Sequence, residues 1–458
     1  MTLKTVFGAV AILVALSNAA LATDYYAAPL SAVQSCTADG SQNCPWVGLD
    51  AALFSGKLVG GDRLLLLDGN YGSENLYMLA FSAPIVVQSL NGKNAHFESI
   101  VINEGTKNLT FKNLSVWPSD PHAPQGFLVV SYVGASNIVV DGLDVRAGQD
   151  ADNYMSWSQS EWLSRVTTGI DLRSPNSTIM NSRLMGVYMG AKIEGANSSM
   201  LNNYAEGFSG DAYEVLGDNS VVSGNVSKNC FQIDDNHPDA LQSWADADGA
   251  ITGLTIENNT FLEWVSTSTN PLRCFEQGIG FFDGPYQNII IRNNIVSVSS
   301  YHGISVYGGQ NVRIVNNTVV SSKGIEGTTP YIGVFKQKNG ALPQNVLVSN
   351  NLAMSFYVDS GVDSSNTTYV NNSTLMGLSN LFQDISTFNY VPTAASGYID
   401  TADMTSAPPT DILGGARPTG AGPDRGAYEV GATAGTTTGT TTGTTTWNPK
   451  FLRPPKKR

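Results

Sequence analysis

Charged side chains are scarce in this chain, since Asp, Glu, Lys and Arg make up 14% of its 458 residues. Those present are mainly acidic, with 38 acidic residues against 25 basic ones and a net charge of −13. A nucleic-acid-binding protein needs a basic surface for the phosphates, so this composition argues against that class. An anionic polysaccharide remains compatible with it, provided that the binding cleft itself carries Lys, Arg or a metal ion.

Long apolar runs are also absent, apart from residues 6–16 near the N-terminus. This run is too short to span a bilayer comfortably, and no other stretch is long enough. Lys4 precedes it and a small-residue cleavage site ending at Ala22 follows it, which is the pattern of a secretory signal peptide. We therefore predict a signal peptide over residues 1–22 and a secreted protein, extracellular or periplasmic, without a transmembrane anchor. An uncleaved amphipathic anchor is the alternative.

The C-terminal end has low complexity. Residues 431–446 are rich in Gly and Thr and predict a flexible linker, because such a tract is unable to form a core. Residues 447–458 form a basic tail, which is either a sorting or surface-contact element or an unselected extension. The folded domain is therefore expected over residues 23–430.

One pattern recurs through this domain: an Asn or Gly is followed five positions later by another Asn or Gly. The residues between them alternate, as in Asn311-Val-Arg-Ile-Val-Asn316, and a period of two indicates a strand with one buried face. Starts are 21 to 23 residues apart in the cleanest cases and 29 to 39 apart elsewhere. This spacing predicts one coil of a β-helix per repeat, with loops inserted at a corner. Stacked coils place each Asn above the next, so we also expect a ladder of amide hydrogen bonds.

Disulfide bonds are permitted in an exported protein. Cys36 and Cys44 lie close together in a polar loop and are predicted to pair. Cys230 and Cys274 either pair across neighbouring coils or stay as two buried free thiols.

A second strand in each coil begins with a small residue, continues with a large apolar one and then presents an outward side chain. The aligned segments begin at Gly169, Gly186, Ala212, Ala240, Gly278, Gly303 and Tyr331. The first outward row is then Asp171, Tyr188, Glu214, Gln242, Gly280, Ser305 and Gly333. The second row, two residues further, is Arg173, Gly190, Leu216, Trp244, Phe282, Tyr307 and Phe335. Aromatic rings beside hydrogen-bonding groups suit sugars, unless the rings merely pack beneath inserted loops.

The two ends of the folded domain carry characteristic motifs. They are Tyr25-Tyr-Ala-Ala-Pro, Cys44-Pro-Trp and Gly61-Asp-Arg-Leu-Leu-Leu-Leu-Asp-Gly-Asn-Tyr at the start, and Asp424-Arg-Gly-Ala-Tyr-Glu429 at the close. These motifs resemble those of secreted proteins of the pectate-lyase-like superfamily. The resemblance implies an all-β fold, a single-stranded right-handed parallel β-helix, with a short N-terminal capping helix near residues 46–53. The superfamily includes polysaccharide lyases, glycoside hydrolases, uronate epimerases and non-catalytic surface proteins, so the fold does not determine the reaction.

The densest polar cluster covers residues 234–248, where an insertion interrupts the repeat. It contains His237, one of four histidines in the chain, among five acidic residues. A histidine held by carboxylates serves as general base or acid near neutral pH, and Asp239 is placed to orient it or to act itself. The stretch His237-Pro-Asp-Ala-Leu-Gln242 is similar to His-x-Asp-x-x-Gln stretches of β-helix proteins that act on glycans. The alternative is a solvated or calcium-stabilised acidic loop.

Neighbouring coils add candidates, because adjacent coils are about 4.8 Å apart. We expect Asp211, Glu214, His237, Asp239 and Arg273 to share one patch. In a hydrolase, two carboxylates flank the glycosidic bond, and Asp211 or Glu214 would act with Asp239.

A lyase or an epimerase needs different groups: a base for the proton at C5 of a uronate and a positive charge beside its carboxylate. His237 is the predicted base and Tyr188 the acid, while Arg273 or Lys192 neutralises the carboxylate. The alternative positive charge is Ca²⁺, with the ligands Asp234, Asp235 and Asp246.

The site predictions combine into one hypothesis. The predicted substrate contacts are Arg173, Asp211, Glu214, Gln242, Trp244, Phe282 and Tyr307. We expect an extracellular, monomeric enzyme that acts on an acidic, uronate-containing polysaccharide, with β-elimination by a polysaccharide lyase preferred. A glycoside hydrolase and a uronate C5-epimerase are alternatives, and so is a non-catalytic carbohydrate-binding or surface structural protein, although an inert stalk should lack such a polar cluster.

Overall fold

The computed structural model describes residues 22–33, 35–123, 126–245, 249–323 and 328–435. Over these residues the chain winds into a right-handed parallel β-helix, whose coils have three walls made by three long parallel sheets. The predicted fold class is confirmed. No helix in the described ranges is long and apolar enough to cross a membrane. Three predictions lie outside the described residues: the signal peptide up to residue 21, the metal ligand Asp246, and the linker and tail from residue 436 onwards.

The first sheet contains the strands of the asparagine repeat. The residues at both ends of a repeat have a left-handed backbone, for example Asn311 and Asn316, each with φ +55°. Asn and Gly tolerate this conformation best, which explains why they mark the corners. The sheet's sixteen strands are Asp24–Ala28, Trp46–Val47, Arg63–Leu66, Ala80–Ser89, Lys107–Lys112, Ser136–Asp141, Thr178–Met180, Ser199–Leu201, Val221–Ser223, Ile251–Thr252, Thr255–Glu257, Tyr286–Gln287, Ile290–Arg292, Gly309–Val315, Gln344–Ser349 and Thr367–Val370.

Two ladders of asparagine amides connect the coils. The repeat asparagines form the predicted ladder at an exposed corner, where Asn137 Nδ2 donates to Asn108 Oδ1 at 2.8 Å. A second ladder is buried and is formed by the residue directly after the repeat, with Nδ2 to Oδ1 distances of 2.9–3.0 Å. Its members are Asn203, Asn225, Asn259, Asn294, Asn317, Asn351 and Asn372. These amides satisfy polar groups at a corner that water does not reach.

The second and third sheets complete each coil around an apolar core. The second sheet consists of Gly69–Asn70, Ala95–Phe97, Ser115–Val116, Asp144–Arg146, Arg183–Val187, Tyr204–Phe208, Val226–Cys230, Thr260–Leu262, Ile295–Val298, Thr318–Ser321, Leu352–Ala353 and Ser373–Thr374. The third sheet consists of Ser73–Leu76, Ser99–Ile102, Phe127–Ser131, Thr168–Leu172, Met189–Ile193, Tyr213–Val215, Asp239–Trp244, Gln277–Asp283, His302–Tyr307, Tyr331–Phe335 and Ser355–Val358. Every second side chain of these strands points inward, so Ile170, Ile279 and Ile304 are fully buried in the core.

Segments outside the three sheets cover the N-terminal end and one side of the coil stack. At the N-terminal end the α-helix Leu49–Leu53 buries three apolar side chains, which confirms the predicted capping helix. The closing motif packs on the side of the stack, where Asn316 Nδ2 donates to the main-chain oxygen of Asp424 at 2.9 Å, and its Glu429 carboxylate contacts the buried Arg417 guanidinium at 3.1 Å. The remaining elements are the 3-10 helices Ala151–Ser156 and Ile385–Thr387, the α-helix Gln159–Ser164 and the antiparallel strands Phe382–Asp384 and Asn389–Pro392.

Both cysteine pairs are disulfide-bonded. Cys36 is linked to Cys44, and Cys230 is linked to Cys274. The second bond joins the end of the strand Val226–Cys230 in the second sheet to the loop that precedes the strand Gln277–Asp283 of the third sheet, one coil further along.

The register of the third sheet corrects the predicted alignment in one coil. Asp171 pairs with Lys192, and Lys192 pairs with Glu214, so Lys192 occupies the first outward row. The alignment that began at Gly186 and placed Tyr188 in this row is wrong by four residues. Gly186 has φ +68° at the end of a strand of the second sheet, so Tyr188 lies at the corner between two sheets. Both segments begin with Gly, which made them indistinguishable by pattern.

Candidate active site on the third sheet

A cleft lies on the outer face of the third sheet, beyond the middle of the coil stack. Its volume is about 190 Å³. Three consecutive strands, Asp239–Trp244, Gln277–Asp283 and His302–Tyr307, supply most of its walls. The residues that line it are His237, Gln242, Gln277, Phe282, Asp283, His302, Tyr307 and Lys338.

The register of the strands explains the shape of this cleft. Gln242 pairs with Gly280, and Gly280 pairs with Ser305, so a position without a side chain lies between two polar residues. A Cβ atom at Gly280 would lie 2.2 Å from the ring of Phe282. Glycine at this position therefore lets the Phe282 ring lie close against the sheet, beside the cleft.

His237 and Asp239 form a pair at one end of the cleft. The His237 Nδ1 atom lies 3.4 Å from Asp239 Oδ2, and the two side chains are 63% and 0% exposed. The hydrogen bond to Asp239 raises the pKa of His237, while burial raises the pKa of Asp239 to about 6. Asp239 therefore fixes the orientation of an imidazole that faces solvent.

Buried carboxyl groups lie behind this pair. Asp211 Oδ1 accepts a hydrogen bond from the Asp239 main-chain N–H at 2.9 Å. Burial raises the pKa values of Asp211, Glu214 and Glu276, the first and last of them to well above the ordinary values. Asp211 and Glu214 were predicted as substrate contacts on an open face, but neither lines the cleft and both are buried. Glu276 was not predicted, although it directly precedes Gln277, the first residue of a strand of the third sheet.

Arg273 forms an ion pair with the buried carboxylate of Glu263. Its guanidinium lies 2.7 Å from Glu263 Oε1 and donates to Ser322 Oγ at 2.9 Å, and it does not line the cleft. Glu263 is fully buried and needs this positive charge. The expectation that Arg273 is free to neutralise a substrate carboxylate is therefore wrong, because sequence gave no sign of its partner.

Lys192 lies on the same face as the cleft but outside it. Its Nζ atom lies 2.9 Å from Glu194 and 3.2 Å from Glu214, and 4.8 Å from the centre of the Trp244 ring. Arg173, two coils from Glu214, is paired with Asp171 at 2.8 Å. Of the predicted substrate contacts, the structure brings three together with His237 in the cleft: Gln242, Phe282 and Tyr307.

The cation of the cleft is Lys338, which the sequence analysis missed. Its Nζ atom lies 2.5 Å from Asp283 Oδ1, and the lysine also opposes the charged form of His237. Lys338 belongs to the loop that follows the strand Tyr331–Phe335. The sequence signal for this cation was a pair of lysines, Lys336 and Lys338, directly after an aligned strand.

His302 is the second histidine of the cleft. Its Nδ1 atom lies 2.8 Å from Ser305 Oγ and 2.9 Å from Tyr331 OH. Burial lowers the pKa of His302 to about 4, so this imidazole is neutral at neutral pH. Gln277, also missed, begins the strand between the coils of His237 and His302.

The predicted acid and metal ligands lie outside the cleft. The Tyr188 hydroxyl donates to Asp234 Oδ2 at 3.0 Å, and burial is the main cause that raises the pKa of Tyr188 to about 12. Asp234 and Asp235 are exposed, and the third ligand, Asp246, lies outside the described residues. Among the residues that the structure describes, no group of three or more His, Cys, Asp or Glu is arranged to hold a metal ion.

The chain is similar to solved structures of other proteins. No family model and no curated protein matches the chain. Solved structures that match include pectate lyase Pel9A, with 16% identity, 89% of this chain and 96% of that chain covered, and a TM-score of 0.49. The GH136 lacto-N-biosidase from Eubacterium ramulus matches with 13% identity, 77% and 68% coverage, and a TM-score of 0.45. A rhamnogalacturonan lyase matches with 15% identity, 79% and 91% coverage, and a TM-score of 0.46. Sequence identities of 13% to 16% do not identify the reaction of this chain.

Proposed function

We propose that this protein is a secreted carbohydrate-active enzyme that cleaves a uronate-containing polysaccharide by β-elimination. One observation carries the proposal: an exposed His237, oriented by the buried Asp239, shares a cleft with the cation Lys338 and with two aromatic rings. This reaction requires a base and a positive charge beside the carboxylate, and the two rings offer an apolar surface to the sugar.

His237 is assigned the removal of the proton at C5 of the uronate. Its Nδ1 side faces Asp239, so Nε2 of the neutral imidazole is the atom available to the substrate. Asp239 then stabilises the imidazolium that forms. Lys338 pairs with the uronate carboxylate, which makes the neighbouring C–H more acidic.

Elimination is completed when the bond from C4 to the leaving oxygen breaks and that oxygen takes a proton. We assign this proton to the hydroxyl of Tyr307, which lines the cleft and whose pKa is raised by burial, so it stays protonated. Tyr188, the acid expected from sequence, is bonded to Asp234 at the corner and is replaced in this assignment.

Hydrolysis fits the cleft less well. Two carboxylates must flank the bond in a hydrolase, and Asp283 is the one carboxylate among the eight residues that line the cleft. Its charge is already paired with Lys338 at 2.5 Å. An epimerase shares the first step, but His302 across the cleft is neutral at neutral pH and is a poor donor of the proton that must return to the opposite face.

Two of the three predicted calcium ligands, Asp234 and Asp235, lie among the described residues and outside the cleft. Asp234 already accepts hydrogen bonds from the Tyr188 hydroxyl and from the main-chain N–H of Asn236, at 3.0 Å each. We therefore assign the positive charge to Lys338 and route no step through a metal. Activity should persist in the presence of a chelator, and loss of activity that added calcium restores would contradict this assignment.

The test is a screen of uronic-acid polysaccharides that records ultraviolet absorbance of unsaturated products together with new reducing ends. A lyase gives both signals, and a hydrolase gives reducing ends alone. His237→Ala should abolish both signals without changing the fold. His122→Ala is the matched control, because His122 lies in the loop before the strand Phe127–Ser131, four coils away. Full activity of the His237→Ala variant would contradict the assignment.

Secretion is part of the proposal and has its own test. We propose that residues 1–22 are removed on export and that the mature protein is a monomer. Export from the producing cell followed by N-terminal sequencing should give Thr23 as the first residue, and gel filtration should give the monomer mass. A retained N-terminus would contradict the predicted cleavage.

A further inference from the structure

The outer face of the third sheet has no free positive charge in its described strands and the described residues of the loops that follow them. Each of its four cations is paired with a carboxylate: Arg173 with Asp171 at 2.8 Å, Lys192 with Glu194 at 2.9 Å and Glu214 at 3.2 Å, Lys336 with Asp359 at 4.0 Å, and Lys338 with Asp283 at 2.5 Å. Carboxylates on this face thus outnumber cations. The whole chain also carries a net charge of −13.

Such a face is a poor match for a homopolymer of uronates. Every sugar of that polymer carries a carboxylate, and each would need a partner along the coils. Binding would either break an existing pair at every coil or place like charges side by side, and both are unfavourable. The cleft with Lys338 offers a place for one carboxylate, which exchanges with Asp283.

From the cleft toward the C-terminal end of the coil stack, the outer face of the third sheet carries a row of aromatic rings. Phe282 and Tyr307 lie with ring centres 5.6 Å apart, Tyr307 and Phe335 at 4.4 Å, and Phe335 and Tyr357 at 5.1 Å. Four consecutive coils therefore contribute one ring each to a continuous aromatic column. A second glycine, Gly333, makes room for it, since a Cβ atom there would lie 2.5 Å from the Phe335 ring.

The exposed part of this column lies at its far end. Tyr357, the last ring of the column, is 46% exposed, whereas Phe335 is buried. Tyr301 lies beside the column and is 51% exposed; the Tyr331 ring lies between it and Tyr357, with ring centres 6.0 Å and 5.6 Å away. The Lys336–Asp359 pair lies in the loops beside the far end of the column, and the Lys338–Asp283 pair lies at the cleft end. The column is thus continuous with the cleft, apolar, and suited to the faces of neutral sugar rings.

We infer that the substrate is an acidic heteropolysaccharide, in which a uronate bound in the cleft is flanked by neutral sugars bound on the aromatic column. The inference rests on the proposed function for the identity of the cleft, and it adds the substrate class. The polymer lies parallel to the axis of the β-helix, so that successive sugars contact Lys338, Tyr307 and then Tyr357.

Binding measurements separate this inference from the reaction. Affinity electrophoresis of the full chain compares two sparsely charged polymers, gellan and a rhamnogalacturonan backbone, with two homouronans, polygalacturonate and alginate. At least one sparsely charged polymer should bind about tenfold more tightly than either homouronan. Tyr357→Ala should weaken that binding about fivefold or more.

Tyr77→Ala is the matched control, because Tyr77 is 47% exposed and lies beside the first strand of the same sheet, at the opposite end of the coil stack. It should bind as the unchanged protein does. Tyr301→Ala provides a second variant if Tyr357→Ala unfolds, as judged by circular dichroism.

The outcomes distinguish the two proposals. Tighter binding of a homouronan, or unchanged binding by both tyrosine variants, overturns the inference even if the protein is a lyase. Tyr357-dependent binding of a sparsely charged polymer without any unsaturated product supports the inference and contradicts the proposed reaction.

Discussion

The imidazole of His237 lies 3.4 Å from the carboxylate of Asp239, and solvent reaches only the first of these two groups. The main-chain N–H of Asp239 is in turn bonded to Asp211 at 2.9 Å. The exposed histidine is thus held from behind by buried acids. This arrangement determines how the site should respond to pH and to substitution.

The first prediction concerns the pKa values of the histidines. Asp239 raises the pKa of His237, whereas burial lowers the pKa of His302 to about 4. Because the chain has four histidines, NMR titration can resolve each one. Asp239→Asn should lower the pKa of His237 and leave His302 nearly unchanged.

The same variant makes a kinetic prediction. The base must be neutral, so activity rises as pH passes through the pKa of His237, and Asp239→Asn should move this rise to lower pH. Activity should also fall by about 10²- to 10⁴-fold, because the imidazole loses its fixed orientation. An unchanged pH profile would contradict the assignment of His237 as the base.

Substitution of Lys338 should affect activity, whereas substitution of Arg273 should affect stability. Lys338→Met should lower activity by about 10²-fold or more with little change in stability, because its side chain is exposed and its charge serves the substrate. Lys107→Met, an exposed lysine on the first sheet, is its control and should change neither quantity.

Arg273→Met should instead lower the free energy of unfolding by about 3–5 kcal/mol, because it leaves the buried Glu263 without its partner. Denaturant unfolding and initial rates measured on both variants check the contrast. If Arg273→Met folds normally and loses only activity, then Arg273 neutralises the substrate carboxylate, as expected from the sequence, and the assignment of this role to Lys338 is wrong.

Glu276 predicts a stability effect that depends on pH. Burial raises its pKa well above the ordinary value, and neither carboxylate oxygen has a hydrogen-bond partner within the described residues. A raised folded-state pKa gives stability that is present below the unfolded-state pKa and lost as pH rises through the folded-state value.

Glu276→Gln should therefore increase the free energy of unfolding at pH 7 by about 1 kcal/mol or more and have a smaller effect near pH 4. Glu104→Gln, on the surface, should have little effect at either pH. An equal loss of stability at both pH values would show that the charge of Glu276 is not the relevant quantity.

The buried asparagine ladder predicts a sharp difference between two adjacent residues. Asn259 donates to Asn294 at 2.9 Å and is fully buried, so Asn259→Ala should cost about 1–3 kcal/mol. Asn258 has φ +58°, a conformation that glycine adopts freely, so Asn258→Gly should change stability by less than about 0.5 kcal/mol. Urea unfolding followed by circular dichroism checks both, and equal costs would contradict the distinction.

These positions also show what the sequence could predict. The alternation of side chains and the left-handed asparagines are local properties, so the coils, the capping helix and the position of His237 just before a strand of the third sheet followed from pattern. The register near Tyr188 did not, because two glycines four residues apart fit the same pattern. Which strand positions face outward was predictable, but which cation is already neutralised was not.

The cation assignment failed for a physical reason. Arg273 and Lys338 are each separated in sequence from the groups they serve, and only the fold shows that Glu263 takes the charge of the first. Burial likewise removed Asp211 and Glu214 from the surface. Long-range pairing and burial, rather than strand pattern, decide these points.

The most direct test of the proposed reaction is to digest the preferred polysaccharide in water labelled with heavy oxygen and to analyse the products by mass spectrometry. Elimination breaks the bond without adding water. The products of a short digestion, reduced before their hemiacetal ends exchange oxygen with water, should therefore carry an unsaturated uronate and no heavy oxygen. His237→Ala should give no products. Saturated products whose new ends contain heavy oxygen would show hydrolysis and contradict the account.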